Sequence, residues 1–169
     1  MHLPDSAGND ARLALPMPEA VLLWAIRTWV SGRRQEAPAE RRIEPVFATL
    51  GAPDAAGFLY GLMWVLSHGA GRSIEVRCPC HPWIGKDEQT LLDALVLTQD
   101  GQLFERLLLF RSLLRPLAAT PAGQSASGLV EAFNRAGLFL TPCYAPVRHH
   151  AFPRPAWRGF DRRRAAGAG

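Results

Sequence analysis

The sequence predicts a mainly all-α protein, a single compact bundle of about six helices. The chain has 169 residues, of which 48% are hydrophobic, which is enough for one buried core. Apolar residues recur at helical spacing, and proline or glycine marks most of the segment ends. We expect residues 18–143 to form the helical domain, residues 1–17 to be a mobile N-terminal segment, and residues 144–169 to be a Pro/Arg-rich C-terminal tail.

The first helix is predicted to begin at Pro18, since proline suits the first helical turn, and to end at Gly32. Its apolar face consists of Leu22, Leu23, Ile26, Trp29 and Val30. A charged linker follows over residues 33–42, and a second helix ends at Gly51. Pro45 can be accommodated only if that second helix begins beside it. The spacing that predicts the second helix is carried by Ile43, Val46, Phe47 and Leu50.

The third helix is predicted from Pro53 or Asp54 to Gly69. Its apolar residues surround most of its circumference, so we expect it to be the central, buried helix. These residues are Phe58, Leu59, Leu62, Met63, Val65 and Leu66.

Three more helices are predicted in the second half of the domain. The fourth runs from Asp87 to Asp100 and turns Leu91, Leu92, Leu95 and Val96 inward. The fifth runs from Leu103 to Arg115, where Pro116 ends it, and packs through Phe104, Leu107, Leu108 and Leu114. Residues 120–128, rich in Gly, Ser and Pro, are predicted to be a loop. Ser125 or Ser127 then caps a sixth helix that continues through Ala136 and is closed by Gly137.

Two short apolar runs, residues 73–77 and 138–141, are candidates for a minor two-stranded pairing. Each run leads into a proline and a cysteine. If the runs pair in parallel, their cysteines emerge at the same end of the pair.

The stretch VRCPCHPWIGKDEQTLL, residues 76–92, holds the densest group of reactive side chains. Thiolate and imidazole are the ligands that zinc prefers, so Cys78, Cys80, His81 and Cys143 are candidates for a structural zinc site. Three cysteines cannot complete an all-cysteine iron–sulfur cluster. Two alternatives stay open: small, partly buried cysteines in a turn, or a redox-active or nucleophilic thiol. The cofactor prediction is therefore none, or zinc.

Other polar residues have structural explanations. Asp87 at the N-cap and Glu88 in the first turn suit the start of the fourth helix. His68 suits the C-terminus of the third. No catalytic constellation or cofactor fingerprint is present in the sequence, which favours a non-enzymatic protein.

The tail accounts for the net positive charge of the chain. Residues 147–169 contain six arginines and one acidic residue, Asp161, so they carry about +5 in a chain of net charge +4, and the rest of the chain is nearly neutral. Arginines interleaved with aromatic rings can bind phosphates and stack on bases, or contact an acidic protein or an anionic membrane surface. A solvated tail without a partner is the alternative. The candidate partner-binding residues are Arg148, Arg154, Trp157, Arg158, Phe160, Arg162, Arg163 and Arg164.

The sequence favours a cytoplasmic protein. No apolar run is long enough for a transmembrane segment, no secretory signal is recognisable, and three cysteines fit a reducing compartment. Abundant Ala, Arg, Gly and Pro are typical of bacterial proteins from GC-rich genomes.

For function, we expect a small helical interaction module, acting as an adaptor, regulator or assembly factor through contacts with a protein partner or a second copy of itself. Five tryptophans are more than a core of this size is expected to cover. The alternatives are a zinc protein with its site at residues 78–81 plus 143, and sequence-independent nucleic-acid binding through the tail.

Overall fold

Six α-helices make up the part of the chain that the structure, a computed structural model, describes: residues 15–35 and 38–142. They are α1 (Met17–Arg34), α2 (Glu40–Thr49), α3 (Ala55–Gly69), α4 (Lys86–Gln99), α5 (Leu103–Leu113) and α6 (Ala119–Arg135), with a 3₁₀ turn at Pro116–Ala118. The predicted all-α bundle is confirmed. None of these helices is long and apolar enough to cross a membrane. The predictions for residues 1–14 and 143–169 lie outside the described residues.

The most extensive helix contact is between α3 and α6. Residues 120–128, predicted to be a loop, form the first half of α6, so that prediction is wrong. A Cβ atom at Gly128 would overlap the ring of Phe58 on α3. The glycine therefore serves close packing of two helices and does not mark a turn. The helix α3 itself is not buried all round, because Phe58 and Trp64 are 39% and 59% exposed.

Two predicted helix boundaries are wrong for reasons of burial. Gly32 is buried inside α1, which continues to Arg34. Pro45 lies in the interior of α2, which begins at Glu40. Ile43 and Phe47, one helical turn apart on either side of Pro45, are both fully buried, and the helical backbone across the proline places them on the same face.

The predicted packing residues of α5 are correct in part: Leu114, just after the helix, is buried and Leu107 packs against the core, but Phe104 and Leu108 do not pack. Phe110 and Leu113 are buried, whereas Phe104 and Leu108 are 67% and 50% exposed. Because α5 is apolar around most of its circumference, the side that α4 and α6 cover is decided by packing and cannot be read from periodicity. The helix ends at Leu113, two residues before the predicted end.

The predicted pairing of 73–77 with 138–141 does not form. Neither segment forms a strand, and its peptide groups are bound by side chains from neighbouring helices. At the second segment, Gln99 of α4 accepts from the Leu140 amide at 2.8 Å and donates to its carbonyl at 2.7 Å. Glu19 of α1 accepts from the Thr141 amide. Side-chain hydrogen bonds thus replace the ladder that a sheet would supply.

Candidate functional site

The loop between α3 and α4, residues 70–85, carries the Cys-Pro-Cys-His sequence. Residues 75–77 of this loop run beside the first turn of α4. The amide of Glu75 donates to Asp87 at 2.8 Å, and the amide of Arg77 donates to Glu88 at 3.0 Å. Two adjacent carboxylates of α4 therefore position the backbone that leads into the cysteines.

At the start of α4, the predicted role of Glu88 is confirmed and the predicted role of Asp87 is wrong. Gly85 is the N-cap, and its amide donates to Glu88 at 2.7 Å, so the predicted capping role of Glu88 is confirmed. Asp87 is not the N-cap. Its carboxylate forms an ion pair with Arg72 of the loop, with a shortest N–O distance of 2.6 Å. Asp87 consequently fastens the loop to the helix.

A fully buried arginine of α1 completes this arrangement. The Arg27 side chain is 1% exposed, and its guanidinium donates twice to the buried Glu88 carboxylate, at 2.7 and 2.8 Å. It also donates to the carbonyl oxygens of His81 and Trp83, at 2.7 Å each. The bidentate pair satisfies both buried charges, and the remaining N–H groups hold the loop on the far side of the cysteines. We call Arg27, Glu88 and the loop peptide groups that they bind the Arg27–Glu88 clamp.

Sequence reasoning missed Arg27, although a signal was present. Arg27 follows Leu23 by one helical turn on the apolar side of α1, where a charged residue is rarely buried unless it is paired. Its partner is 61 positions away, and no local pattern identifies a contact at that separation.

The hydrogen bonds of the clamp fix the protonation of the carboxylates. Burial by itself raises the pKa of Glu88, but hydrogen bonds from Arg27, Gly85 and Arg77 outweigh it and hold that pKa below its usual range. The hydrogen bond from Arg72 lowers the pKa of Asp87, against a smaller effect of burial. Both groups are therefore anionic at neutral pH.

The two cysteines of the loop lie side by side at the surface. Their Sγ atoms are 3.0 Å apart and both residues are exposed, so the interpretation as partly buried apolar residues is wrong. The pKa of the Cys78 thiol is lowered, mainly by a hydrogen bond from Cys80. Backbone N–H groups and the charge of Arg27 act in the same direction, while burial opposes them. The Cys78 thiol is therefore easier to ionise than an ordinary cysteine thiol.

The predicted zinc ligands are brought together only in part. The thiols of Cys78 and Cys80 meet, whereas the His81 ring lies against Arg77, at 3.3 Å, and against the backbone of Trp83, at 3.2 Å. In residues 15–35 and 38–142, no group of three or more His, Cys, Asp or Glu side chains is arranged to hold a metal ion. Cys143 lies outside the described residues, and the strand pairing that was expected to bring it close does not exist.

A second feature is an apolar cleft of about 260 Å³ between α1, α3, α4 and the loop. Its lining residues are Trp29, Val30, Arg33, Arg34, Met63, Leu66, Ser67, Ile74, Val76 and Leu91. The two arginines are exposed, and the guanidinium carbon of Arg33 lies 5.6 Å from the centroid of the Trp29 ring. No local sequence pattern indicates this cleft, because four separate segments contribute to it.

Exposed aromatic and apolar side chains occur elsewhere on the surface. None of the four tryptophans in the described ranges is fully buried, and Trp64 stacks on His68 with ring centroids 4.3 Å apart. Nδ1 of His68 lies 2.9 Å from the carbonyl oxygen of Trp64, which agrees with the predicted role at the end of α3. On α5, Leu103, Phe104 and Leu108 form an exposed apolar face.

The candidate partner-binding residues of the tail, from Arg148 to Arg164, lie outside the described residues. Their proposed contacts with nucleic acid or protein stay predictions.

Comparison with protein-family models, with curated proteins and with solved structures finds no match for this chain. Its function is therefore argued from its own geometry.

Proposed function

We propose that this protein is a helical interaction module whose apolar cleft binds an acidic segment of a partner protein through one large apolar side chain. The observation that carries the proposal is the cleft itself: an apolar depression with two exposed arginines among its lining residues.

The size of the cleft suits one large apolar side chain. Its volume of about 260 Å³ lies close to the lower end of the roughly 300–1,000 Å³ of typical ligand pockets. Burying one Leu, Phe or Met side chain contributes about 1.5–3 kcal/mol, so a single anchor strengthens binding by roughly tenfold to a hundredfold.

The charge of the cleft favours an acidic partner. Arg33 and Arg34 occupy the last turn of α1, where cations suit the helix dipole, and this alone explains their presence. Within the described residues, however, neither takes part in an ion pair. Two exposed guanidinium groups beside an apolar depression attract carboxylates of a partner, with an effect that weakens as salt increases.

The test uses fluorescein-labelled acidic peptides, each with a single Leu, Phe or Trp, and matched peptides with Ala at that position. We expect the anchored peptides to bind the full chain about tenfold more tightly than the Ala peptides, as measured by fluorescence anisotropy. Ser67→Trp places a large side chain at the cleft and should abolish this difference. The matched control is Ser112→Trp on α5, since both serines are exposed and hydrogen-bond the carbonyl three residues earlier.

Two double variants test whether the arginines beside the cleft are needed for binding. Arg33→Glu/Arg34→Glu should weaken binding, whereas Arg41→Glu/Arg42→Glu, an exposed arginine pair on α2, should not. Equal binding by the Ser67→Trp and Ser112→Trp variants would overturn the proposal. If light scattering shows a dimer that Ser67→Trp disrupts and Ser112→Trp does not, the occupant of the cleft is a second copy of the chain and not an acidic segment of another protein.

A further inference from the structure

We propose that Cys78 and Cys80 form a thiol–disulfide exchange site, in which the adjacent exposed thiols reduce an accessible disulfide and become a disulfide within the loop. This activity is independent of the cleft and of the interaction proposed above. Its substrate class is a disulfide of a small thiol compound or of an exposed peptide.

The separation of the sulfur atoms favours disulfide chemistry over metal binding. The two Sγ atoms are 3.0 Å apart. A disulfide bond is about 2.05 Å long, so closing it requires an approach of about 1 Å. A tetrahedral zinc ion with Zn–S bonds of about 2.3 Å would hold its two sulfur ligands about 3.8 Å apart. The pair is thus already closer than a bridging zinc ion would keep it.

The thiols are accessible while the backbone around them is held. Both cysteines are exposed. On the C-terminal side, Arg27 binds the carbonyl oxygens of His81 and Trp83 at 2.7 Å each, and on the N-terminal side Glu88 binds the Arg77 amide at 3.0 Å. The Arg27–Glu88 clamp therefore fixes the loop next to both cysteines and leaves their side chains in solvent, which is the arrangement an exchange site requires.

A structural role does not account for the pair. The stabilisation that a disulfide gives through loop closure grows with the length of the closed loop, and these residues are two positions apart. A disulfide between them would connect no separate helices and would stabilise the fold little. Its role would therefore lie in redox chemistry.

The steps balance in atoms and electrons. The Cys78 thiolate attacks one sulfur of the substrate R–S–S–R, so that a Cys78–S–S–R bond forms and one RS⁻ leaves and takes up a proton. Cys80, deprotonated in turn, attacks the Cys78 sulfur, closes the Cys78–Cys80 disulfide and releases the second RSH. Two electrons and two protons pass from the dithiol to the substrate. The hydrogen bond between the two sulfur atoms and the charge of Arg27 favour the thiolate at Cys78, which is the attacking group in this scheme.

The experiment follows the reduced full chain in glutathione disulfide, with acid quenching, alkylation and peptide mass mapping. We expect an intramolecular Cys78–Cys80 disulfide with no glutathione retained. Cys80→Ser should instead retain one glutathione on Cys78, because the resolving thiol is missing. Cys143→Ser is the matched control and should behave as the unaltered chain.

A pH series separates this site from a pair of ordinary surface cysteines. The rate of the first step should have its inflection below the pH expected of an ordinary thiol, and Cys80→Ala should move that inflection upward, because the hydrogen bond to Cys78 is lost. Stable glutathione on both cysteines, a disulfide to Cys143, or unreacted thiols would overturn the proposal. So would one zinc ion per chain that, added alone, shields both thiols from glutathione disulfide.

Discussion

Replacing Glu88 by glutamine tests the Arg27–Glu88 clamp directly. Glu88 is fully buried, and its two oxygens accept hydrogen bonds from Arg27 Nε, Arg27 Nη2 and the amides of Arg77 and Gly85. Glutamine has the same shape but offers one accepting oxygen and a donating NH₂ group where donors already converge. Arg27 would also lose its counter-charge in a buried environment.

The expected cost is large compared with the stability of a small domain. Removing one partner of a buried ion pair costs about 3–5 kcal/mol, because the remaining charge is buried without compensation. The free energy of unfolding of a domain of this size is about 5–15 kcal/mol, so Glu88→Gln should remove a substantial part of it. Arg27→Met combined with Glu88→Leu removes both charges. The double variant should be less destabilised than the sum of the single variants.

Urea unfolding, followed by circular dichroism and tryptophan fluorescence, measures these differences. The matched control is Glu131→Gln, since Glu131 pairs with Arg135 at 3.2 Å but both side chains are more than half exposed. That exposed pair should contribute no more than about 0.5 kcal/mol. If Glu88→Gln costs no more than Glu131→Gln, or if the single changes add without coupling, the clamp does not stabilise the fold as argued.

Three further outcomes are expected. Because the pKa of Glu88 is held below its usual value, its stabilisation is present above the unfolded-chain pKa of about 4.3 and is lost as the pH falls through the folded value. The difference in unfolding free energy between the unaltered chain and Glu88→Gln should therefore shrink below about pH 4, and a constant difference would contradict this. A Cβ at Gly69 would overlap that of Ala118, so Gly69→Ala should cost about 1–3 kcal/mol. Gly57→Ala, in open space on the same helix, should stabilise by about 0.5–1 kcal/mol, and similar Tm changes for both would refute the packing argument. Deleting residues 147–169 should abolish any binding to duplex DNA and leave the Tm unchanged. With six arginines, the slope of log K against log salt concentration for the full chain should be no steeper than about −5. Equal binding by the truncated chain would show that the tail is not the nucleic-acid site.

Local sequence was sufficient for the features that depend on neighbours along the chain. Apolar residues at helical spacing between Asp54 and Gly69 predicted α3 almost to the residue, and the same reasoning placed α4 one residue from its observed start. Glu88 was identified as a residue of the first turn that satisfies free N–H groups of the helix, and the structure shows its partner, the Gly85 amide, only three positions away. The closure of α6 near Gly137, where φ is 73°, also follows from one residue type. Helical periodicity and capping are short-range properties, which is why one sequence determines them.

Only the tertiary structure decided where those helices meet and what lies between them. Gly128 reads as part of a loop until the ring of Phe58 is placed against it. The buried side of α5 follows from which helices cover it. The segment before Cys78 donates its hydrogen bonds to carboxylates of α4 and not to a second strand. Arg27 reaches Glu88 across 61 positions, and that contact holds the loop on which the thiols meet. Partners so distant along the chain leave no local pattern, because the free energy that selects them is gained only when the whole bundle packs.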